Sequence, residues 1–135
     1  MKPPPLNTLR ILPLVADLTN PTAAIGWENK ERLSLLQRGP ADTVLVLALL
    51  HHLAISNNVP FKGIAHLLAS IARTLVIEFV PKSDSQVKRL LVSREDVFPG
   101  YTREGFERDF SRLFTIEEAV RIDDTDRILY LMRKR

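Results

Sequence analysis

Cysteine is absent from this chain. Disulfides, thiolate metal sites and a cysteine nucleophile are thereby excluded, and a reducing cytoplasm is the compatible setting. Glycine is scarce as well. Gly26, Gly39, Gly63, Gly100 and Gly105 are all there are, and no two stand close enough to make the G-x-G loop that cradles a dinucleotide. No apolar run approaches the ~20 residues needed to span a bilayer, so no membrane partner is expected. The opening "MKPPPLNTLR" is positively charged but lacks the apolar stretch of a secretory signal. The net charge of +3 is modest. Its one basic cluster, "RKR" at Arg133 to Arg135, reads as a solvated terminus rather than a nucleic-acid stripe.

What is present describes a single globular domain. Hydrophobic residues make up 45% and charged residues 26% of 135 residues, enough to bury a core without cross-links or metal. Residues 1–8, with three prolines, read as an extended or disordered lead-in. Residues 9–135 read as one α/β domain. Arg10 to Val15 is apolar and bounded by "TNPT", which predicts a strand, with Pro13 arguing for an edge or an irregularity. Trp27 to Gln37 has near-helical spacing and is stopped by Gly39–Pro40. Thr43 to Leu49 is apolar on both faces, as in a central parallel strand covered by helices.

Pro60 to Ala72 is the clearest amphipathic helix, with Phe61, Ile64, Leu67, Leu68 and Ile71 three and four apart and Pro60 suited to its first turn. Thr74 to Val80 predicts another strand. "SDSQVKRLLVS" opens with the caps Ser83 and Asp84 and predicts a shorter helix. "REDVFPGY" is a loop. Thr102 caps a helix to Leu113, and two strands, Phe114 to Ile122 and Arg127 to Met132, flank a "DDTD" turn. Strands alternating with helices predict a mostly parallel sheet with helices on both faces, closed by an antiparallel hairpin.

This order resembles the second half of a class I S-adenosylmethionine-dependent methyltransferase, a Rossmann-like fold. "ILPLVADLTNP" is similar to that family's third strand, which ends in an acidic residue and an apolar one. "ADTVLVLALLHHL" resembles the fourth-strand motif, "TLVIEFVPKSD" the fifth strand, and "FTIEEAVRIDDTDRILYLMRKR" the sixth and seventh. Within the superfamily the nodulation-protein-like branch is the most similar. The first two strands of the family, with their Gly-rich loop, have no counterpart here. The chain is therefore expected to be either the C-terminal piece of a longer enzyme or a truncated relative. It would bind little or no S-adenosylmethionine alone. The open edge left at Thr43 to Leu49 is expected to be filled by the first strand or covered by a second copy, making a homo-oligomer. The rival expectation is a non-catalytic, truncated interaction module. Nothing identifies the methyl acceptor.

The resemblance implies that Asp17 and Leu18 contact the cofactor's adenine, although Asp17 equally suits an Asx turn into "TNP". It also implies that Ala48, Leu49 and the following residues to His51 border the methionine end of the cofactor and the acceptor. His51 and His52 follow the carboxyl end of a parallel strand, the rim where open α/β sheets bind ligands. Either imidazole has the pKa of a general base. The alternative is that one packs and hydrogen-bonds to backbone while the other faces water, and metal binding is the weakest reading. Asp42 is expected to serve a turn or cap. Glu78 interrupts an apolar strand and needs a cation, Arg73 or Lys82, or access to substrate. Tyr101 either lines an acceptor pocket or belongs to a turn pinned by Phe98.

Overall fold

In the computed structural model, residues 11–135 are described. The expected lead-in, residues 1–8, and the first residue of the first expected strand lie outside them. The chain forms an α/β fold with a four-stranded mixed sheet. Its elements are β1 (Ala41–Val46), α1 (Phe61–Ile71), β2 (Ala72–Phe79), α2 (Ser85–Val92), α3 (Arg103–Phe110), β3 (Phe114–Arg121) and β4 (Ile128–Lys134). The sheet order is β1-β2-β4-β3. β1 and β2 are parallel, with Val44 opposite Leu75 and Val46 opposite Ile77. β4 pairs antiparallel with both β2 and β3. β1, β2 and β3 therefore run in one direction, and the reversed β4 lies between β2 and β3 as one arm of the expected carboxyl-terminal hairpin, making the sheet mixed.

Each helix starts where its sequence supplies a stop for extended chain. Pro60 is the N-cap residue of α1. Its fixed φ suits a helix start, and its missing N–H would have been unpaired there in any case. Asp84 accepts from the Gln86 backbone N–H at 2.8 Å to open α2. Thr102 accepts from Gly105 at 3.0 Å to open α3. Such caps each contribute about 1 kcal/mol. Gly105 has a second task, since a Cβ there would collide with the Gly100 carbonyl oxygen.

The core lies on one face of the sheet. Val46, Leu75, Ile77, Phe79, Tyr130 and Met132 alternate inward and join Ile64 and Leu68 of α1, Val87 of α2 and Phe106 and Phe110 of α3 in one cluster. Phe106 is its hub, with ring centroids 4.4 Å from Phe110, 5.0 Å from Tyr130, 5.3 Å from Phe79 and 5.7 Å from Phe61. The alternate positions form a second face. There Leu45, one residue before the end of β1, is 63% exposed and Val120 is 50% exposed. All three helices give their buried side chains to the first face, so the expected helix layer on both faces is not found among the described residues.

The amino-terminal third departs furthest from its sequence pattern. Ile11 to Val15 forms no strand and is exposed, so it does not fill the open edge of β1. Trp27 to Gln37 is not a helix but two short 3-10 turns, Trp27–Asn29 and Leu36–Arg38. Glu28 and Asn29 take positive φ, which breaks helical hydrogen bonding at once. Here Leu33, Leu36 and Trp27 remain exposed; without a surface to bury them, apolar spacing alone does not hold a helix.

Candidate functional site

The carboxyl end of β1 carries the unusual backbone. β1 stops at Val46, three residues before the end expected from its apolar run, because Ala48 takes φ 50°. A residue with a Cβ is disfavoured there by about 1–2 kcal/mol, and such strain concentrates at functional sites. The turn throws Leu50 and His51 inward and leads into a turn of π-helix, His52–Ser56, itself a feature frequent at functional sites. Ala48 is exposed, while Leu49 is half-buried against the core.

The two histidines have separate environments. Their rings are 4.2 Å apart, yet His51 is 1% exposed whereas His52 is open to solvent. Among the described residues His51 Nδ1 has no hydrogen-bond partner, so the expected bond to backbone is not made at that atom. Burial, followed by the neighbouring His52 and Arg127, pushes the His51 pKa down to about 4, with Asp84 opposing. At neutral pH His51 is uncharged.

Next to it stands an ion cluster in which each member comes from a different element. Arg127, at the entry to β4, donates through Nε and Nη2 to the two oxygens of Asp84 at 2.7 and 3.1 Å. Its Nη1 donates to Glu78 Oε1 of β2 at 2.8 Å. All three are largely buried. The Arg127 hydrogen bonds, opposed in part by burial, hold the Asp84 carboxyl below its ordinary value. Glu78 therefore finds a cation as expected, but it is Arg127. The two cations proposed for it are elsewhere: Arg73 lies 3.6 Å from Asp42 and Lys82 is 2.9 Å from Asp96. Asp42 belongs to β1 itself, fully exposed, rather than to a turn or cap. The role of Arg127 was not visible in sequence, since nothing there brings it beside Glu78 and Asp84.

Tyr101 is 4% exposed, with its hydroxyl donating to the Val80 carbonyl at 2.6 Å. Burial raises its pKa far above the ordinary value. Its ring also lines a recess of about 430 Å³ beside the start of α1. The turn expected here is present, with Phe98 packed on the core and the Tyr101 N–H donating to the Phe98 carbonyl at 3.1 Å. Asp17 shares no side-chain hydrogen bond with these groups among the described residues. Asp17 accepts from the Thr19 hydroxyl at 2.6 Å and the Thr19 N–H at 2.9 Å, an Asx-type turn whose bonds lower its pKa. Leu18 packs on the core.

The Asp17 carboxylate is engaged with Thr19, and the glycines are too dispersed for a cradle. Among the described residues no group of three or more histidine or carboxylate side chains is placed to hold a metal ion, and no helix is long and apolar enough to cross a membrane.

What the fold and this rim define is an α/β domain whose one parallel strand pair ends in a strained, histidine-bearing turn. The chain is similar to nodulation protein NoeA of Rhizobium meliloti (strain 1021), 39% identical over 123 residues that cover 91% of the chain. It spans only 26% of that protein's length. No protein-family model and no solved structure matches it.

Proposed function

We propose that this chain supplies the acceptor-side half of an S-adenosylmethionine-dependent methyltransferase fold, working in a reducing cytoplasm and inactive without a cofactor cradle from additional polypeptide. The observation that supports the reading is the sheet: a parallel pair, β1 and β2, joined to a carboxyl-terminal antiparallel hairpin. The open edge of β1 and the bare Leu45 fit a sheet that continues into missing neighbours. The strained turn at Ala48 and the histidines behind it stand at the rim where an acceptor would approach. Of the two, His52 is the candidate base, since it is exposed; buried and neutral, His51 positions the turn. Similarity to a nodulation protein agrees with the branch that the motifs resemble. Titration of S-adenosylmethionine into the chain is expected to give no saturable heat. Expression from a reading frame in which a strand and G-x-G loop precede Met1 is expected to restore binding.

A second reading has its own support. β1 has no strand on its outer side among the described residues, and its Leu45 with the following Leu47 is more than half exposed. This arrangement suits a non-catalytic module that pairs with a second copy through the β1 edge. Sedimentation at micromolar concentration separates the two: a dimer with no cofactor binding in any longer frame favours the module.

A further inference from the structure

The recess beside Tyr101 holds a group that none of the preceding roles uses. Its walls are mostly apolar, with Val59, Pro60 and Phe61 at the start of α1 and Val97, Phe98 and Tyr101 on the facing loop, and the polar side chains of Asn58 and Arg108 also reach the lining. On its lining stands Asp109, a carboxylate only 7% exposed. Among the described residues its one hydrogen bond is from Arg108 Nε at 3.1 Å, and the Arg108 side chain is itself 64% exposed. A carboxylate has room for about four such bonds. Asp109 also sits in the last turn of α3, where a negative charge opposes the helix dipole. Neither helix stability nor packing accounts for a nearly buried carboxylate at this position.

The opposite wall is held in place before any ligand arrives. Lys82 Nζ donates to both Asp96 oxygens at 2.9 Å and to the Phe98 carbonyl at 2.8 Å. Asp96 in turn accepts from the Phe98 N–H at 3.1 Å, and the Tyr101 hydroxyl fixes the end of the loop on Val80. A preformed, mostly apolar recess with a few polar groups on its lining, here Asp109 with its neighbour Arg108 and Asn58, is the usual build of a small-molecule site, and about 430 Å³ lies in the ordinary range.

We infer that this recess binds a small apolar ligand carrying a protonated amine, its hydrocarbon body between Phe98 and Pro60 and its ammonium on the free valence of Asp109. In the methyl-transfer reading such a ligand belongs to the acceptor class. That assignment of role rests on the reading, but the binding does not, because it needs neither cofactor nor turnover.

The test is titration of the full chain with 2-phenylethylamine, followed by amide chemical shifts, with 3-phenylpropionate as the anionic counterpart. Saturable shifts at Val59, Phe98 and Asp109 with the amine, and none with the acid, are expected. Asp109→Asn is expected to weaken binding by about tenfold or more, the worth of a charged hydrogen bond. Val97→Trp, at an exposed position on the recess wall, is expected to abolish it by filling the space and keeps the test open if the Asp109 variant does not fold. Equal binding of acid and amine, binding unchanged in Val97→Trp, or no saturation at millimolar amine would overturn the inference. Each of those results leaves the cofactor reading standing.

Discussion

Acidification should unfold this protein through His51 before its carboxylates are reached. The folded pKa near 4, against about 6.5 in the unfolded chain, means the unfolded state binds the proton more tightly between those values. His51 thus contributes stability that is fully present above pH 6.5 and is lost as pH falls toward 4. Linkage over those two values gives a loss of about 1.2 kcal/mol between pH 7 and 5.5, and about 2.4 kcal/mol by pH 4.5. With a urea slope of about 2 kcal/mol/M, the first of these moves the unfolding midpoint by about 0.6 M. Carboxyls held low in the folded state, Asp84 and Glu107 among them, act in the same direction but only below their ordinary values near 4. The interval from pH 7 to 5.5 is therefore nearly theirs to leave alone. His51→Leu removes the titrating group and its unpartnered Nδ1 together. It should fall within about 1 kcal/mol of the parent at pH 8, because a polar atom without a bond adds little, and its midpoint should be flat from pH 7 to 5.5. His52 and His66 remain in both proteins, so the difference belongs to His51. A variant that loses as much stability on acidification as the parent would refute the reasoning.

Other perturbations have signs set by particular contacts. Arg127→Met strands Glu78 and Asp84 as buried, unpaired carboxylates and should cost about 3–5 kcal/mol in urea unfolding. Ala48→Gly relieves a positive φ and should stabilise by up to about 1 kcal/mol; destabilisation would mean that the methyl group has a packing role. Phe106→Ala empties the hub of the aromatic cluster and should cost about 3–5 kcal/mol, seen as a lower melting temperature with far-UV circular dichroism kept at 10 °C. Gly105→Ala forces a methyl onto the Gly100 carbonyl, and about 1–3 kcal/mol should be lost with the start of α3.

The carboxyl-terminal two thirds was legible because its apolar residues find the partners their spacing implies. Phe61, Ile64 and Leu68 lie on one face of a real α1, and Asp84 and Thr102 cap the helices they were expected to cap. Amino-terminal segments with equally good spacing failed for want of a surface. Ile11 to Val15 has no strand beside it, and Trp27 to Gln37 has no groove to fill, so neither pattern buries enough to offset its ordering entropy. At the site, the position of His51 and His52 on the β1 rim could be read from an apolar run followed by polar residues. Their unequal burial could not, because it depends on the positive φ of Ala48, which no local sequence rule assigns to alanine. Arg127 and Asp109 were missed for a related reason. Their significance lies in which carboxylate is paired and which is left with one exposed neighbour, and only tertiary packing decides that.

The central claim is that the chain carries the acceptor side of a methyltransferase fold and leaves the cofactor cradle to other polypeptide. Calorimetric titration of S-adenosylmethionine, run in parallel on the chain and on a longer reading frame with a strand and G-x-G loop before Met1, tests it most directly. The account predicts saturable one-to-one binding by the longer protein and no saturable heat with the chain alone. Tight binding by the isolated chain, or none by a folded longer protein, would contradict it.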